Sequence, residues 1–182
     1  VKEGGKRLID RNKTKERNSG SLLEETIIQL DSMDKVSRAK RQFLQGETYE
    51  EKLFHIGLEL NITWINRILF LKLLEGQLIS YHGGDKSYSF LNIDKIKYFD
   101  DLNTLFFQVL AKKFEDRNSD VFELFNKVPY LNSSLFEPTE LEHNTLMLSN
   151  LRDEKKIPIL TSTVLKDDQG KKKTGEIATL QY

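Results

Sequence analysis

Three short charged stretches have the residue types and spacing that metal-dependent nucleases use. Such enzymes can combine an upstream Asp with a Glu-x-Lys or Asp-x-Lys pair, in which two carboxylates hold the metal and the lysine lies near the attacking water. The second half of this pattern occurs at Asp153–Lys155, at Glu154–Lys156 and at Glu50–Lys52. No Pro-Asp dipeptide precedes them. A charged loop explains the residues at 153–156 without catalysis. The first turn of a helix, where acidic side chains interact favourably with the helix dipole, explains those at 50–52.

Other common catalytic patterns do not occur in the sequence. There is no Gly-x-Gly, no Gly-Lys-Ser/Thr and no Gly-x-Ser-x-Gly, so Walker-type NTPases, glycine-loop dinucleotide binding and the hydrolase elbow are excluded. His55, His82 and His143 are isolated from one another, which favours solvated or capping roles over metal binding. The chain has no cysteine. This excludes disulfides and thiolate sites and is compatible with a reducing cytoplasm.

Two basic clusters are candidates for contact with a DNA backbone. The 28 Lys and Arg residues are balanced by 28 Asp and Glu residues, so any DNA binding must come from local patches. Each cluster can bind phosphates without reading sequence, and a solvated surface is the alternative interpretation. The cluster residues are Arg38, Lys40, Arg41, Lys171, Lys172 and Lys173.

The elements that must position these residues are predicted to be mostly helical. A Ser-x-x-Glu capping box at Ser21 predicts a helix from there to about Leu44, and a second box at Thr48 predicts a longer helix to about Tyr81. Residues 62–74 are apolar on nearly every face, which predicts a helix in the middle of a bundle. Its length of roughly 50 Å favours a kink near Gly57 or Asn61.

Shorter elements are predicted in the rest of the chain. Asp100 or Asp101 caps an amphipathic helix over 102–114, a short helix follows at 121–125, and a third begins at Thr139. Alternation at 144–151 and Ile, Thr and Val enrichment at 157–165 predict two strands of an antiparallel hairpin. The apolar pattern that begins after Gly175 predicts a helix cut off at the C-terminus.

The predicted fold class is therefore mainly α, a bundle-like multi-helix domain with a small antiparallel β-hairpin near the C-terminus. Residues 1–20 are expected to be a basic linker or a frayed helix, residues 21–143 a helical domain, and residues 144–182 the hairpin and the truncated helix. Both ends of the sequence, which starts at Val1, resemble cut points in a longer protein. No apolar run reaches the roughly 20 residues of a membrane span, so a cytoplasmic protein is expected.

Four ordered segments of the chain resemble one known family. They are Ile65–Glu75, Phe90–Asn92, Leu102–Ala111 and Val128–Glu137. The family is that of large single-chain restriction–modification proteins of the type IIG kind, in which one polypeptide is both endonuclease and adenine-N6 DNA methyltransferase. The resemblance covers about 48–182, a stretch that in the family lies after the nuclease and before the methyltransferase core. It implies a helical connector between those domains.

The resemblance assigns no catalytic or metal-binding residue to this chain. The family's Phe-x-Gly-x-Gly-like cofactor loop and its Asn-Pro-Pro-Tyr motif are absent, as is an intact nuclease motif. S-adenosylmethionine and Mg²⁺ are therefore expected in other domains of a parent enzyme. The implied partners are double-stranded DNA, through the parent enzyme, and the nuclease and methyltransferase domains of the same polypeptide. A type I restriction subunit and a protein–protein interaction scaffold without DNA contact are the alternatives.

One loop inside the fourth segment is a candidate for docking against a neighbouring domain. Pro129 fixes a turn, and Asn132, Ser133 and Ser134 can bond to backbone groups beside Tyr130. An ordered loop of this kind can present a fixed surface to another domain. A well-packed internal turn is the alternative interpretation.

Overall fold

The computed structural model describes residues 10–167 and 169–182 in full and residues 2–3 and 6–7 as backbone. This part of the chain is mainly α-helical with a small antiparallel sheet near the C-terminus, which confirms the predicted fold class. The strands pair as β1 (Lys2–Glu3) with β2 (Lys6–Arg7) and as β3 (Lys156–Pro158) with β4 (Glu176–Ala178). The α-helices are α1 (Leu22–Ser32), α2 (Tyr49–Tyr81), α3 (Phe99–Thr104), α4 (Ser119–Phe125) and α5 (Glu140–Asn144).

Helix α1 begins where the sequence predicts but ends much earlier. Ser21 Oγ accepts a hydrogen bond from the Glu24 backbone N–H at 3.4 Å, as expected of an N-cap. Asp34 then adopts a φ of +47°, and the Lys35 N–H donates to the Leu30 carbonyl at 3.0 Å. This left-handed closure ends the helix. The predicted end at Leu44 is wrong, because the apolar spacing beyond Asp34 belongs to two 3₁₀ turns.

Helix α2 is the longest element and runs without interruption from Tyr49 to Tyr81. Its predicted limits are confirmed. The capping box is reciprocal, since Glu51 N–H donates to Thr48 Oγ1 at 3.2 Å and Thr48 N–H donates to Glu51 Oε2 at 2.9 Å. Asn61 Nδ2 donates to the Gly57 carbonyl at 2.8 Å and to Thr26 Oγ1 of α1 at 3.0 Å. This pair of bonds fastens α2 to α1.

The surroundings of α2 differ from the prediction. One face is buried and includes Leu60, Trp64 and Leu71, whereas Leu69 and Leu73 on the other side are 58% and 71% exposed. The expectation that apolar residues all round place this helix inside a bundle is therefore wrong. The shorter helices and turns of the described chain, α1 included, pack on the buried face and leave the opposite side of α2 in solvent.

Helix α3 begins earlier than predicted and changes its winding. Asp101 lies in the first turn, and its carboxylate accepts from the Tyr98 backbone N–H at 3.0 Å. The chain continues as a π-helical stretch over Leu105–Leu110, where the carbonyl–amide spacing is wider than in an α-helix. This stretch turns Phe106 and Phe107 into the interior.

The C-terminal hairpin exists, but its predicted strands are misplaced. Residues 144–151 are the end of α5 and a 3₁₀ turn, because Leu146, Leu148 and Leu151 are all buried in the helical core. Strand β3 starts one residue before the predicted 157–165 and is only three residues long. Its partner β4 occupies the segment that was predicted to begin a helix, with Ile157 opposite Ile177. The predicted strand at 144–151 and the predicted terminal helix are therefore wrong.

The first twenty residues form no α-helix in the residues that are described. Paired strands occur at 2–3 and 6–7, and a 3₁₀ turn at Thr14–Glu16. The linker prediction also covers residues 1, 4, 5, 8 and 9, which lie outside the described residues. Arg11 is held by Glu24 at 2.8 Å and by Glu50 at 2.7 Å. The basic segment is thus tied to the starts of α1 and α2.

One apolar core unites the elements from Ile27 to Leu151. The hairpin joins it through the start of α1, where Thr179 Oγ1 donates to the Gly20 carbonyl and Leu180 packs against the core. None of the described helices has the length and apolarity needed to cross a membrane. The proposed division at residue 143 stays a prediction, since Leu146 beyond it packs in the same core.

We expect Gly20→Ala to destabilise the chain by about 1–3 kcal/mol, since overpacking displaces backbone. A Cβ at Gly20 would lie 2.2 Å from the Lys156 carbonyl oxygen of β3. The control is Gly76→Ala, where a Cβ meets no atom within 4 Å; there alanine should add up to about 1 kcal/mol by helix propensity. Urea unfolding of both variants measures the difference. Equal stability of the two variants would contradict the close approach of β3 to α1.

Candidate functional site

The most developed polar site in the described chain is a buried ion pair between α2 and α5. Arg67 Nη1 lies 2.6 Å from Glu142 Oε1, and Nη2 lies 2.9 Å from Oε2. The two residues are 0% and 1% exposed. Trp64 Nε1 donates to the same Glu142 Oε1 at 2.8 Å. A two-pronged guanidinium–carboxylate pair of this kind fixes orientation as well as distance.

Two further N–H groups of Arg67 donate to backbone carbonyls. Nε donates to the Leu135 carbonyl at 2.6 Å and Nη2 to the Glu137 carbonyl at 2.9 Å. The guanidinium carbon lies 5.5 Å and 5.2 Å from the ring centroids of Phe106 and Phe107, within cation–π range. One arginine therefore joins four separate parts of the chain.

Glu142 also caps its own helix. Its Oε2 accepts from the Thr139 backbone N–H at 2.7 Å and from Thr139 Oγ1 at 2.9 Å. Burial acts to raise the pKa of the Glu142 carboxyl, but the hydrogen bonds from Arg67, Thr139 and Trp64 outweigh it and hold that pKa below its ordinary value. Both oxygens are occupied by structural partners. The pair is thus built to hold the fold and leaves no lone pair directed at a substrate.

Three of the four segments that were predicted to resemble restriction–modification proteins meet at this pair, and the second segment contacts Lys72 further along α2. The first segment supplies Arg67, the third supplies the two phenylalanines beneath it, and the fourth supplies the two carbonyls. At the second segment, Lys72 Nζ donates to the Leu91 carbonyl at 2.6 Å and to Glu75 Oε2 at 3.1 Å. Ser89 Oγ also donates to Glu75. The other three segments thus each contact the first, which lies on α2 and whose Leu69 and Leu73 face solvent.

The nuclease-like residues at 153–155 are not assembled into a metal site. Asp153 Oδ1 accepts from the Phe99 backbone N–H at 2.7 Å and so caps α3. Burial raises the pKa of Asp153, against the effect of that hydrogen bond, and the nearby Asp101 charge adds to the rise. Among the described residues no three His, Cys, Asp or Glu side chains are placed to hold a metal. Asp153 therefore has a structural role in the charged loop, which is to cap α3.

A second buried carboxylate lies beside this loop. Glu25 of α1 is 1% exposed, and its Oε1 accepts from the Arg152 backbone N–H at 2.5 Å. Burial raises the pKa of Glu25, and the Arg152 N–H and the charge of Lys155 oppose that rise. The carboxylate fixes the chain between α5 and β3 against α1. Nothing in the sequence pattern around Glu25 pointed to this contact.

The other candidates from the sequence also have structural partners. Glu50 accepts a hydrogen bond from Arg11. Glu51 accepts one from the Thr48 N–H in the capping box of α2. His82 Nδ1 lies 2.9 Å from the Leu78 carbonyl at the end of α2, and its ring stacks on Tyr88 at 3.7 Å. These contacts agree with the capping interpretation for the Glu50–Lys52 stretch and for His82.

The first basic cluster lies in the two 3₁₀ turns that follow α1. Arg38, Lys40 and Arg41 are all exposed. Lys40 pairs with Glu140 at the start of α5. Within residues 10–167 and 169–182, Arg38 and Arg41 make no ion pair. Two of the three predicted cations therefore extend into solvent.

The second basic cluster lies in the long loop of the C-terminal hairpin. Lys171, Lys172 and Lys173 are exposed. Lys172 Nζ donates to the Thr161 carbonyl at 2.6 Å, and the backbone N–H of Lys173 donates to the Leu165 carbonyl at 2.8 Å. This bonding gives the loop a defined shape. No contact in the described chain joins this cluster to the first.

The predicted docking loop is anchored at both ends and open in the middle. Val128 is buried, and its carbonyl accepts from Arg117 Nη1 at 2.8 Å; Leu131 N–H donates to the Leu110 carbonyl at 2.9 Å. Pro129 and Tyr130 are half-buried. Asn132, Ser133 and Ser134 are exposed. The loop thus combines an internal packed turn with three polar residues at the surface.

Comparison with protein families covers the whole of the chain. Residues 1–182 match the model described as "Domain of unknown function (DUF7814)". The chain belongs to the DUF7814 family. Comparison with curated proteins and with solved structures finds no match. The DUF7814 description carries no activity, so the resemblance to restriction–modification proteins stays a prediction.

Sequence reasoning missed Arg67 and Glu142 as the central polar pair of this DUF7814 domain. A lone arginine inside the apolar run 62–74 was one available signal, because a charge that faces a core requires a partner. The Thr139–Glu142 capping box was another, since it fixes the position of the carboxylate. The pairing itself spans 75 residues, and no local pattern specifies it.

We expect Glu142→Gln to destabilise the DUF7814 domain by about 3–5 kcal/mol, because it leaves the Arg67 charge buried without a counter-ion. The matched control is Glu140→Gln on the same helix, where the exposed pair with Lys40 should be worth less than about 1 kcal/mol. Urea unfolding at neutral pH measures both. Similar losses in the two variants would contradict the central role of the buried pair.

The same variant has a defined pH dependence. The pKa of Glu142 is lower in the folded state than in the unfolded state, so its contribution to stability is complete above the unfolded value and is lost as the pH falls through the folded value. The difference between wild type and Glu142→Gln should therefore be largest near neutral pH and shrink below about pH 4. Urea midpoints over a pH series test this, and a constant difference would argue against it.

We expect Asp153→Ala to lower the free energy of unfolding by about 1 kcal/mol through loss of the α3 cap. Lys155→Ala should change it by no more than about 0.5 kcal/mol, as is usual for a side chain without a structural bond. Mg²⁺ or Mn²⁺ should leave the melting temperature of the wild type unchanged. Metal-dependent stabilisation that Asp153→Ala abolishes, or DNA cleavage that Lys155→Ala abolishes, would show a nuclease site instead.

Proposed function

We propose that this DUF7814 chain is a helical connector of a bacterial restriction–modification enzyme that combines a DNA endonuclease with an adenine-N6 methyltransferase. The observation that supports the proposal is that three of the four resembling segments meet at Arg67 and the remaining one bonds to Lys72 of the same helix. Segments that pack together preserve a common fold. In this proposal the chain positions the catalytic domains and does not itself carry the catalysis.

The construction of α2 supports a positioning role. At 33 residues it is about 50 Å long. It is held in its central turns by the Asn61–Thr26 bond and the Arg67–Glu142 pair, and closer to its C-terminal end by the bond of Lys72 to the Leu91 carbonyl. A helix fastened at three levels keeps its two ends at a constant separation. This is the mechanical property that a connector between two catalytic domains requires.

Three carboxylates that could do acid–base or metal chemistry are used in structural bonds. Glu142 binds Arg67, Asp153 caps α3, and Glu51 closes the capping box of α2. In the proposal S-adenosylmethionine and Mg²⁺ are bound by other domains of the parent polypeptide. That enzyme would act on double-stranded DNA in the cytoplasm. The neighbouring nuclease or methyltransferase domain would contact the exposed loop residues Asn132, Ser133 and Ser134.

The exposed cations supply a contact with the DNA backbone in this proposal. Arg38 and Arg41 extend from one cluster and Lys171 and Lys173 from the other, while Lys40 and Lys172 are bonded within the chain. Guanidinium and ammonium groups bind phosphates through charge and counter-ion release, without reading the base sequence. The contact would therefore hold the connector on DNA while other domains recognise the site.

The test is binding of the 182-residue chain to a short fluorescent duplex by anisotropy. An increase in salt from about 0.05 to 0.2 M should weaken the affinity about 10²-fold if about four phosphate contacts form. The double variants Arg38→Glu/Arg41→Glu and Lys171→Glu/Lys173→Glu should each bind more weakly and show a salt slope smaller by about 2.

The control variant is Lys86→Glu/Lys97→Glu, which makes the same change in net charge at exposed lysines outside both clusters. It should retain most of the affinity. Equal loss in all three double variants would mean that only net charge matters. Absence of binding at both salt concentrations would remove the DNA contact and favour a protein-interaction scaffold.

A further inference from the structure

The solvent-facing side of α2 carries a regular apolar stripe, which we call the outer face. Its members recur at three- and four-residue steps and are Ile62, Ile65, Leu69, Leu73 and Gly76. The two isoleucines are each 44% exposed and the two leucines 58% and 71% exposed. The position of a Cβ at Gly76 has no atom within 4 Å. A helix that buries its opposite side in the core thus presents a second apolar seam to solvent.

The spacing of the outer face is self-complementary for two antiparallel helices. If Leu69 of one copy lies opposite Leu69 of another, then Ile65 lies opposite Leu73 and Ile62 opposite Gly76. The bulky isoleucine at one end meets the residue without a side chain at the other, which allows the helices to approach closely. A twofold interface requires reciprocal pairing: if Ile65 of one copy contacts Leu73 of the other, then Leu73 of the first copy contacts Ile65 of the second.

The size of the apolar surface matches what a dimer of ordinary area needs. Together with Phe70, which borders the stripe and packs on Phe136, the large side chains of the outer face leave about 500 Å² in solvent, within the range of functional surface patches. A standard interface buries about 800 Å² per partner. About 65% of a homodimer interface is apolar, so about 500 Å² of apolar surface per copy is required.

The charges beside the outer face do not oppose this pairing. In the antiparallel register Asn66 lies opposite Lys72, whose ammonium is already held by Glu75 and the Leu91 carbonyl. The exposed Glu59 lies opposite Ile79 and not opposite another acid. No like charges are brought together along the seam.

We propose that two copies of this chain associate through the outer face, with their α2 helices antiparallel and a twofold axis at Leu69. The inference is independent of the proposed connector role, since it rests on α2 alone and uses no residue of the basic clusters. In the dimer the two copies of each basic cluster would be related by the same axis.

The first experiment is sedimentation velocity of the 182-residue chain between about 1 and 100 µM, the range in which a micromolar dimer dissociates. A concentration-dependent shift from monomer to dimer is expected. Leu69→Glu places two acids against each other on the axis and should keep the chain monomeric over this range. The control is Leu124→Glu, at a 46% exposed leucine of α4, which should dimerise like the wild type; far-UV circular dichroism verifies that both variants are folded.

The second experiment tests the register, using the absence of cysteine from the natural sequence. Leu69→Cys puts one thiol from each copy at the axis, so a short bismaleimide should link two chains. Leu73→Cys is the matched control, because its two thiols lie eight residues apart along the seam, about 12 Å. The double variant Ile65→Cys/Leu73→Cys should be linked again, since these positions face each other.

Monomers at every concentration would overturn the proposal and leave the outer face to a neighbouring domain. A dimer that persists in Leu69→Glu would place the interface elsewhere on the chain. Cross-linking of Leu73→Cys in preference to Leu69→Cys would overturn the antiparallel register. None of these results alters the DNA-binding test of the connector role.

Discussion

The architecture of this chain depends on one buried ion pair. The charges of Arg67 and Glu142 lose their hydration on folding, and that cost is offset only if nearly every donor and acceptor finds a partner. The partners come from α2, the π-helical stretch, the turn at 135–137 and α5. These parts are therefore held in one arrangement by the same pair. The apolar core adds area around this centre, while the ion pair specifies which elements meet and in what orientation.

A consequence of this construction is that the polar residues of the interior are used for structure. Glu142, Asp153 and Glu25 each accept a hydrogen bond from a backbone N–H group. Parts of the four segments that were predicted to resemble restriction–modification proteins lie in the same interior, whereas Leu69 and Leu73 of the first segment face solvent.

The surface offers three separate features around a stiff central helix. The outer face of α2 is apolar, the two basic clusters are polar and charged, and the loop at 132–134 exposes hydroxyl and amide groups between anchored ends. Each suits a different kind of contact: a second copy, a phosphate backbone and a neighbouring domain. The outer face and the loop at 132–134 are attached to elements that the ion pair joins, whereas the two basic clusters lie on the turns after α1 and on the hairpin loop.

The sequence by itself determined the features that rest on local bonds. The limits of α2 follow from the Thr48–Glu51 capping box and from the turn after Tyr81, and the acids at 50–51 were interpreted correctly as a helix start. It also predicted the mainly α class with a small hairpin. Only the tertiary structure decided the rest. Helix α1 ends at Ser32 because Asp34 turns left-handed, residues 144–151 are drawn into the core instead of pairing as a strand, and Arg67 meets a carboxylate 75 residues away. The two isoleucines of the outer face have the same apolar character as their buried neighbours on α2. Which of them face solvent depends on where the other helices pack, and residue type cannot encode that.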